Sequence, residues 1–303
     1  MRIAMLHSRI RVEERLLLDA LAERGVEPQV IDLREELFDV HDAERWSGFD
    51  VVFDRSLSLT VSLTAVRALE RFGLRCVNTG LAIEVCSDKH RTSLALARAG
   101  VPTPRTVVAA SAEAALEAVE RIGYPAVLKP TVGSWGRLLA RINDRDAAEA
   151  VIEHRATLGS ASQGVFYVQE HIDKPGRDLR VFVVGGEPIA AIARASEHWV
   201  TNTARGAKAS GLAIDDGLAS LSRRAAACVH ADLCAIDLLE CPERGLLVSE
   251  VNHSMEFRNS IETTGVDIPG RMADHLLRIA AACAPARLAA RVRDPLEPAG
   301  ILA

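Results

Sequence analysis

Two carboxylates and one amide, Asp237, Glu250 and Asn252, lie in two neighbouring apolar stretches late in the sequence. The stretches CAIDLLE and GLLVSEVN have the pattern of strands, and the segment CPERG between them carries the proline and glycine of a turn. If the strands pair around a turn centred between Glu243 and Arg244, Asp237 lies directly opposite Glu250. Asn252, two residues further on, then shares the same face of the sheet.

Such a group of oxygen atoms would repel itself unless a cation neutralised it. Oxygen-only ligands suit a hard divalent cation, magnesium or manganese, which keeps open coordination positions for phosphate oxygens when the protein supplies few ligands. The alternative is that Asp237 and Glu250 face solvent or pair with arginines. Because both lie among apolar strand residues, the pattern favours a metal site that also meets phosphate.

Two lysines could contact that phosphate. Lys129 ends a predicted strand and precedes the loop TVGSWGR, in which Gly133 and Gly136 would allow backbone amides to approach an anion closely. The spacing matches neither a Walker loop nor a dinucleotide fingerprint, so an ordinary hairpin loop is the alternative. Lys89 begins a predicted helix directly after Asp88, where the helix dipole disfavours a cation. A surface lysine is the alternative there.

Three arginines and one strand exit add further polar candidates. Arg180, Arg194 and Arg205 occupy strand or loop positions from which they could pair bidentately with carboxylate or phosphate, although each alone also fits a solvated side chain. In VQEHIDKPGRD an apolar strand runs into Glu170, and a short loop ends at Asp178. Backbone groups at such an edge can bind adenine and a carboxylate can accept from ribose hydroxyls; the alternative is a plain strand exit.

Three successive patterns would position these residues. In residues 1–87 short apolar strands alternate with amphipathic helices, which predicts a small α/β domain with a parallel sheet. Residues 88–172 predict a compact α+β domain that carries the glycine-bearing loop. Residues 173–284 predict two hairpins, one turning at Gly185 and Gly186, with a long helix near 215–230 and a final helix after Pro269. Residues 285–303, rich in proline, arginine and alanine, predict a loosely attached tail.

Composition restricts the class of protein. The 303 residues are 49% hydrophobic with a formal net charge of -5, which predicts a globular protein without the basic excess that nucleic-acid binding needs. The six cysteines form no Cys-x-x-Cys pair, so reduced thiols are expected rather than zinc or disulfides. Because no apolar run reaches about 18 residues, we expect a cytoplasmic protein that neither spans a membrane nor is exported.

The ordered motifs resemble the ATP-grasp ligases, in the group that includes the ribosomal-protein S6 glutamate ligase, and most closely the LysX-type enzymes. The resemblance spans about residues 1–280 and rests on SDKHRTSLALARAG, GYPAVLKPTVGSWGRLLA, VQEHIDKPGRDLRVFVVG, HWVTNTARG and EVNHSMEFRNSIETTGVDIPG. It implies an ATP-grasp fold of mixed α/β and α+β class. Its parts would be an N-terminal pre-ATP-grasp α/β domain, a central lid domain and a C-terminal antiparallel-sheet domain.

By position, the resemblance implies roles toward ATP and magnesium, with manganese as an alternative. Nucleotide contacts would come from Lys89 and Lys129 at the phosphates, from the mobile lid Gly133, Ser134, Trp135, Gly136 and Arg137, from Glu170, His171 and Ile172 at adenine, from Asp178 at ribose, and from Arg180. Metal ligands would be Asp237, Glu250 and Asn252. Residues near the γ-phosphate and the acyl phosphate would be Arg194, Asn202 and Arg205.

The reaction implied is a two-step ligation. A carboxylate attacks the γ-phosphate to give an acyl phosphate, and an amine then displaces phosphate to form an amide, so the protein mainly positions groups and neutralises charge. In the LysX-type scheme the carboxylate is the side chain of the C-terminal glutamate of a small acidic carrier protein. That carrier would dock on basic residues, for which the candidates are Arg205, Lys208, Arg223 and Arg224. The resemblance also implies a homo-oligomer, a dimer or a tetramer.

The segment MEFRNSIETTG would bind the incoming amino acid. Its candidate side chains are Arg258, Asn259, Ser260 and Thr264. The resemblance associates asparagine at position 259 with α-aminoadipate and a Gly-Phe version with glutamate, so we expect α-aminoadipate. Glu262 adds a carboxylate to this segment and leaves open a basic-headed amine. Glutamate ligation in the arginine branch, S6-type glutamate ligation and a nucleotide-binding regulatory protein are the alternative functions.

Overall fold

The computed structural model describes residues 1–133, 137–159, 164–201 and 206–292, with side chains described to residue 283. The chain separates into two compact units, one formed by Met1–Thr79 with the residues from Pro269 onward, the other by Gly80–Ile268. None of the helices in the described ranges is long and apolar enough to cross a membrane.

The first unit contains a four-stranded parallel sheet in the order β2-β1-β3-β4. Its central strands are almost wholly apolar and buried, as parallel strands covered on both faces are. This confirms the predicted α/β domain with a parallel sheet. The elements are β1 (Ile3–His7), α1 (Val12–Ala22), β2 (Gln29–Asp32), a 3-10 helix (Glu44–Trp46), β3 (Val51–Asp54), α2 (Leu59–Arg71), β4 (Cys76–Val77) and most of α9 (Ile268–Val292).

A buried ion pair lies within the first unit. Glu14 on α1 is fully buried, and its carboxylate accepts a hydrogen bond of 3.0 Å from the Nε of Arg55, whose side chain is also buried. Arg11 donates to the same carboxylate from its backbone and its guanidinium. Burial raises the pKa of Glu14, but the hydrogen bonds from Arg11 and the charge of Arg55 outweigh it and lower that pKa overall.

The second unit contains two antiparallel sheets. The four-stranded sheet has the order β5-β8-β6-β7, and helices α5 and α6 cover one of its faces with an apolar core. The five-stranded sheet has the order β11-β10-β9-β12-β13, and the core against it includes residues of α4 and α7. The paired hairpins β9–β10 and β12–β13 confirm the two hairpins predicted from sequence.

The elements of the second unit are α3 (Gly80–Ser87), α4 (Lys89–Arg98), β5 (Thr106–Ala109), α5 (Ala112–Ile122), β6 (Ala126–Lys129), β7 (Ala140–Ile142), α6 (Arg145–Leu158), β8 (Phe166–Glu170), β9 (Arg177–Val184), β10 (Glu187–Ala195), β11 (Lys208–Gly211), α7 (Asp216–Cys228), β12 (Leu233–Cys241), β13 (Gly245–Asn252) and α8 (Arg258–Thr264).

One segment to which the sequence assigned no secondary structure forms a helix, and another differs from the sequence-based expectation. The stretch that begins at Arg258 forms the seven-residue helix α8, and Gly265, in the left-handed conformation, caps its C-terminus. It packs on β10 and β11 so closely that a Cβ on Gly211 would lie 2.7 Å from the carbonyl oxygen of Thr263. The final helix α9 begins one residue before Pro269 and continues past Ala284, into the segment expected to be a tail.

Candidate active site

The β12–β13 hairpin carries Asp237 and Glu250 directly opposite each other, as the sequence predicts. The expected turn centre was wrong by half a residue. Cys241 pairs with Gly245, so the turn is centred on Glu243.

A bulge in β13 restores the predicted pairing. Asp237 pairs with Glu250, but the next residue, Leu238, pairs with Val248, so Ser249 is the additional residue. A bulge of this kind re-aims the side chains on either side of it. The predicted pair was therefore reached through two offsets that cancel.

Asp237 is the centre of the polar face of this sheet. Arg180 lies directly across from it on β9 and donates two hydrogen bonds, of 2.7 and 2.8 Å, one to each carboxylate oxygen. The Nη2 of Arg194 donates at 3.0 Å and the Nδ2 of Asn252 at 3.2 Å. Burial alone would raise the pKa of Asp237, but the charges of Arg180 and Arg194 lower it to about 2.

Asp237 thus pairs with two arginines in the structure, and its role as a metal ligand stays a prediction. Arg194 also reaches Asp178, to which its Nε donates at 2.6 Å, so that one buried guanidinium joins two carboxylates. The hydroxyl of Thr201 donates to the other oxygen of Asp178 and accepts from Lys174. Sequence reasoning missed Thr201 and Lys174; the only available signal was the position of Lys174 inside the quoted loop.

Lys89 is the first residue of α4 and approaches Glu250. Its Nζ lies 3.2 Å from the Oε1 of Glu250 and donates to the carbonyl oxygen of Gly133 at 2.8 Å. Asp88 caps the helix by accepting from the backbone amide of His90 at 2.8 Å. This capping carboxylate supplies the negative charge that a helix N-terminus favours, which offsets the unfavourable position of the lysine.

Lys129, at the end of β6, is held by an amide. Its Nζ donates to the Oε1 of Gln169 at 2.7 Å. Burial lowers the pKa of Lys129 to about 8; the charge of Glu250 opposes this decrease, and those of Lys89 and Lys174 add to it. Gln169 was not identified from sequence, because its amide contacts the lysine only through the pairing of β6 with β8.

Glu170, His171 and Ile172 follow at the end of β8 and line the same cleft. The carboxylate of Glu170 accepts from the backbone amide of Arg105 at 2.6 Å and pairs with Arg244. The ring of Trp199, also in the cleft, lies 6.2 Å from that of His171 at an angle of 51°. The cleft therefore joins an apolar and aromatic end to the charged face at Asp237.

The charges around the cleft do not cancel. The five cations near the charged face are Lys89, Lys129, Lys174, Arg180 and Arg194. Among the described residues, the carboxylates that line the same cleft are Glu170, Asp178, Asp237 and Glu250. Among these described residues the cations exceed the carboxylates by one, and this excess of positive charge favours a polyanion such as a polyphosphate.

The donor set also suits a divalent cation. Carboxylate oxygens of Asp237 and Glu250 lie on paired strands beside Asn252, whose Nδ2 donates to Asp237 and whose Oδ1 is its acceptor atom. Within the described ranges no cluster of three or more His, Cys, Asp or Glu residues could hold a metal. A cation here would therefore take an amide oxygen as its third protein ligand and complete its shell with ligand or water oxygens.

Several candidates from the sequence lie elsewhere or outside the described residues. Outside the described ranges are Ser134, Trp135, Gly136, Asn202 and Arg205. The candidates for the amino-acid site lie on α8, where Arg258 and Asn259 are exposed, Ser260 is buried, and Thr264 donates to the carbonyl oxygen of Ser260. The candidates for carrier docking are exposed Lys208, Arg223, which pairs with Glu187, and Arg224, which donates to the carbonyl oxygen of Gly100.

Comparison with known proteins identifies the family. Residues 86–276 match the RimK-like ATP-grasp domain and residues 3–85 the LysX preATP-grasp domain. The glutamate–LysW ligase ArgX of Sulfurisphaera tokodaii is 34% identical, across 91% of this chain and 98% of its own. The α-aminoadipate–LysW ligase LysX of Sulfolobus acidocaldarius is 36% identical, across 75% of this chain and 83% of its own.

Solved structures show the same fold. The RimK domain ATP-grasp protein of Sphaerobacter thermophilus has a TM-score of 0.75 and 29% identity, and the match covers 91% of this chain and 100% of its own. The D-cycloserine synthetase DcsG has a TM-score of 0.71 at 21% identity, which supports the fold alone, over 93% of this chain and 100% of its own. The predicted domain boundaries stay predictions. The chain belongs to the RimK-like ATP-grasp family and is an ATP-dependent carbon–nitrogen ligase.

Proposed function

We propose that this ligase joins the amino group of α-aminoadipate to the side-chain carboxylate of the C-terminal glutamate of a small acidic carrier protein. The observation that carries the ligase chemistry is the face formed by Asp237, Glu250 and Asn252 with its surplus of cations. The carrier protein is supported by the relatives, whose names state LysW as the protein that they modify.

The cleft supports a specific placement for ATP. The phosphates would lie at the charged face, where Lys89 and Lys129 converge from α4 and β6. Adenine would lie at the apolar end beside Ile172, with the ribose near Asp178. Gly133 and Arg137 flank the loop that would cover the phosphates.

Magnesium would be held by Asp237, Glu250 and Asn252, and when bound it would neutralise negative charge on the phosphates. The arginines Arg180 and Arg194 pair with Asp237 and hold it ionised, as its pKa of about 2 indicates. An ionised carboxylate is the form that binds a cation. Manganese is an alternative that the same donor atoms suit.

The chemistry follows in two steps. The glutamate carboxylate of the carrier attacks the γ-phosphorus of ATP. The bond between that phosphorus and the oxygen bridging to the β-phosphate breaks, ADP departs, and an acyl phosphate forms on the carrier. The deprotonated amine of α-aminoadipate then attacks the acyl carbon and phosphate departs. Arg194 is buried, and its guanidinium is held by Asp178 and Asp237. Together with Asn202 and Arg205, it would stabilise the charge that develops on the transferred phosphoryl group.

The amino-acid and carrier sites are proposed on separate residues. Arg258 and Asn259 are exposed on α8, and we assign them to the carboxylates of the amino acid. The buried Ser260 and the internally bonded Thr264 would shape this helix. For the carrier, Lys208 is exposed on β11, with Arg223 and Arg224 on α7 as further basic residues.

Glutamate is the second candidate amino acid. It is favoured by the ArgX relative, which matches across 91% of this chain. The asparagine at position 259 favours α-aminoadipate, and this residue is the reason for the order of the two proposals.

The direct test is to incubate the protein with ATP, magnesium, a LysW-type carrier and either amino acid, and to weigh the carrier by mass spectrometry. A gain of one α-aminoadipyl residue supports the proposal, whereas a gain only with glutamate supports the second candidate. A carrier lacking its C-terminal glutamate is the control and should gain nothing. If neither amino acid is added while ADP is still released, the proposed substrates are wrong.

A further inference from the structure

A buried hydrogen-bond relay connects Lys129 to helix α4. Gln169 accepts from Lys129 and its Nε2 lies 2.8 Å from the hydroxyl oxygen of Tyr167 and 3.2 Å from the Oγ1 of Thr106. The Tyr167 hydroxyl in turn lies 2.7 Å from the Oγ of Ser93 on α4. Gln169 and Tyr167 are each 1% exposed, so water does not compete for these contacts.

Strand pairing explains why these side chains meet. Lys129 lies directly opposite Tyr167, and Gln169 lies directly opposite Thr106. Residues 167 and 169 share a face of β8 because they are two positions apart. That face is opposite to the one on which Phe166 packs in the apolar core. One face of this sheet therefore carries a polar network, and the opposite face packs in the apolar core.

The orientation of the Gln169 amide follows from the donors around it. An ammonium has three donors and no acceptor, so only the amide oxygen can face Lys129. The amide nitrogen must then donate to the hydroxyls of Tyr167 and Thr106. Since Tyr167 accepts from the amide, its own proton is available for Ser93. The relay thus links Lys129 to α4 through Gln169 and Tyr167, with the donor fixed between the lysine, the amide and the Tyr167 hydroxyl.

We propose that Gln169 is a positioning residue, which orients the Lys129 ammonium toward the ATP phosphates and ties its position to α4. The residue acts through Lys129, and the inference therefore rests on the proposed role of that lysine. The amide uses one of the three ammonium protons and leaves two for phosphate oxygens. Because Lys89 begins α4, the relay also couples the positions of the two phosphate lysines.

Charge at this site makes the role measurable. A neutral amide stabilises the charged lysine without neutralising it, as a carboxylate at the same distance would. The charged and titratable groups around Lys129 are Lys89 from α4, Tyr167 from β8, Lys174 after β8, Asp237 from β12, Glu250 from β13, and Arg155 from α6, which donates to its carbonyl oxygen at 3.2 Å.

The test uses steady-state kinetics of ADP release as a function of pH. Gln169→Met removes the acceptor, so the KM for ATP should rise about 10-fold with a smaller change in kcat, equivalent to about 1.4 kcal/mol. The alkaline limb of kcat/KM for ATP should move to lower pH. Gln169→Glu keeps the shape but adds a charge, so the same limb should move to higher pH. Tyr167→Phe should act like Gln169→Met, with a smaller effect.

Matched controls separate positioning from packing. Tyr124→Phe removes an exposed tyrosine hydroxyl from the same unit and should leave both KM and the limb unchanged. If Gln169 had only a structural role, its variants would lower thermal stability. The alkaline limb of kcat/KM for ATP would then not move in opposite directions in Gln169→Met and Gln169→Glu. If both Gln169 variants retain the wild-type limb and KM, the inference is overturned. Gln169→Glu and Tyr167→Phe still decide it if Gln169→Met does not fold.

Lys129→Met distinguishes this inference from the proposed function. A large increase in the KM for ATP with that variant supports the assignment of the lysine to the phosphates. If Lys129→Met impairs ATP use and the Gln169 variants do not, the positioning role alone is wrong. If Lys129→Met changes nothing, the phosphate assignment fails and the positioning role fails with it.

Discussion

Two arginine–carboxylate pairs on the same two strands differ in how deeply they are buried and in how many donors they have, which makes their contributions to stability comparable by mutation. Asp237 on β12 pairs with Arg180 on β9, and Glu240 pairs with Arg177 further along the same strands. Both pairs are bidentate, with distances between 2.6 and 2.8 Å. The Arg180 side chain is 17% exposed and that of Arg177 is 44% exposed. The pairs differ in burial and in the further donors Arg194 and Asn252, which contact Asp237.

The change is Asp237→Asn, compared with Glu240→Gln. A decrease in pKa from 3.8 to about 2 contributes about 2 kcal/mol to the stability of the folded state at neutral pH. Removing the charge also leaves Arg180 and Arg194 buried beside a neutral amide. We therefore expect Asp237→Asn to lower the free energy of unfolding by at least about 2 kcal/mol, and Glu240→Gln by less than about 1 kcal/mol.

The sign of the pH dependence follows from the direction of the shift. Because the pKa of Asp237 is lower in the folded state, its contribution is complete above pH 3.8 and is lost as the pH falls through about 2. The difference in the free energy of unfolding between wild type and Asp237→Asn should therefore become smaller as the pH falls from 3.8 to about 2. Urea unfolding followed by circular dichroism measures it. Equal losses for the two variants at pH 7, or no loss for Asp237→Asn, would refute the reasoning.

Three further substitutions test other parts of the structure. Glu250→Gln should reduce ADP release by at least about 100-fold, because a carboxylate that faces phosphate and metal is lost, and an unchanged circular dichroism spectrum would show that the fold is intact; turnover near wild type contradicts the assignment. Gly211→Ala places a Cβ 2.7 Å from the carbonyl oxygen of Thr263 and should cost about 1–3 kcal/mol in urea unfolding; a neutral effect would show that α8 can shift. Arg55→Met should cost about 3–5 kcal/mol by leaving the Glu14 carboxylate buried without that partner, and adding Glu14→Leu should recover part of the thermal stability, so a double variant as unstable as the single one counts against this explanation.

Sequence patterns predicted the elements that depend on neighbouring residues. The alternating strands and helices of the first unit, the turn at Gly185 and Gly186 and the β12–β13 hairpin were all identified, because period and turn residues are local properties. Helix α8 was missed since seven residues carry too little periodicity, and packing on β10 and β11 stabilises it. The bulge at Ser249 was also missed, because a single additional residue leaves too little local pattern to identify it.

By itself the sequence determined the family, the candidate cations and the neighbouring strands that carry Asp237 and Glu250, because motif order and strand period survive without three-dimensional information. Only the tertiary structure decided which cation meets which carboxylate. Arg194 joins Asp178 to Asp237, and Gln169 holds Lys129. These contacts form between residues that are 16 to 43 positions apart. Strand order and burial determine them, and neither property belongs to any single stretch of the chain.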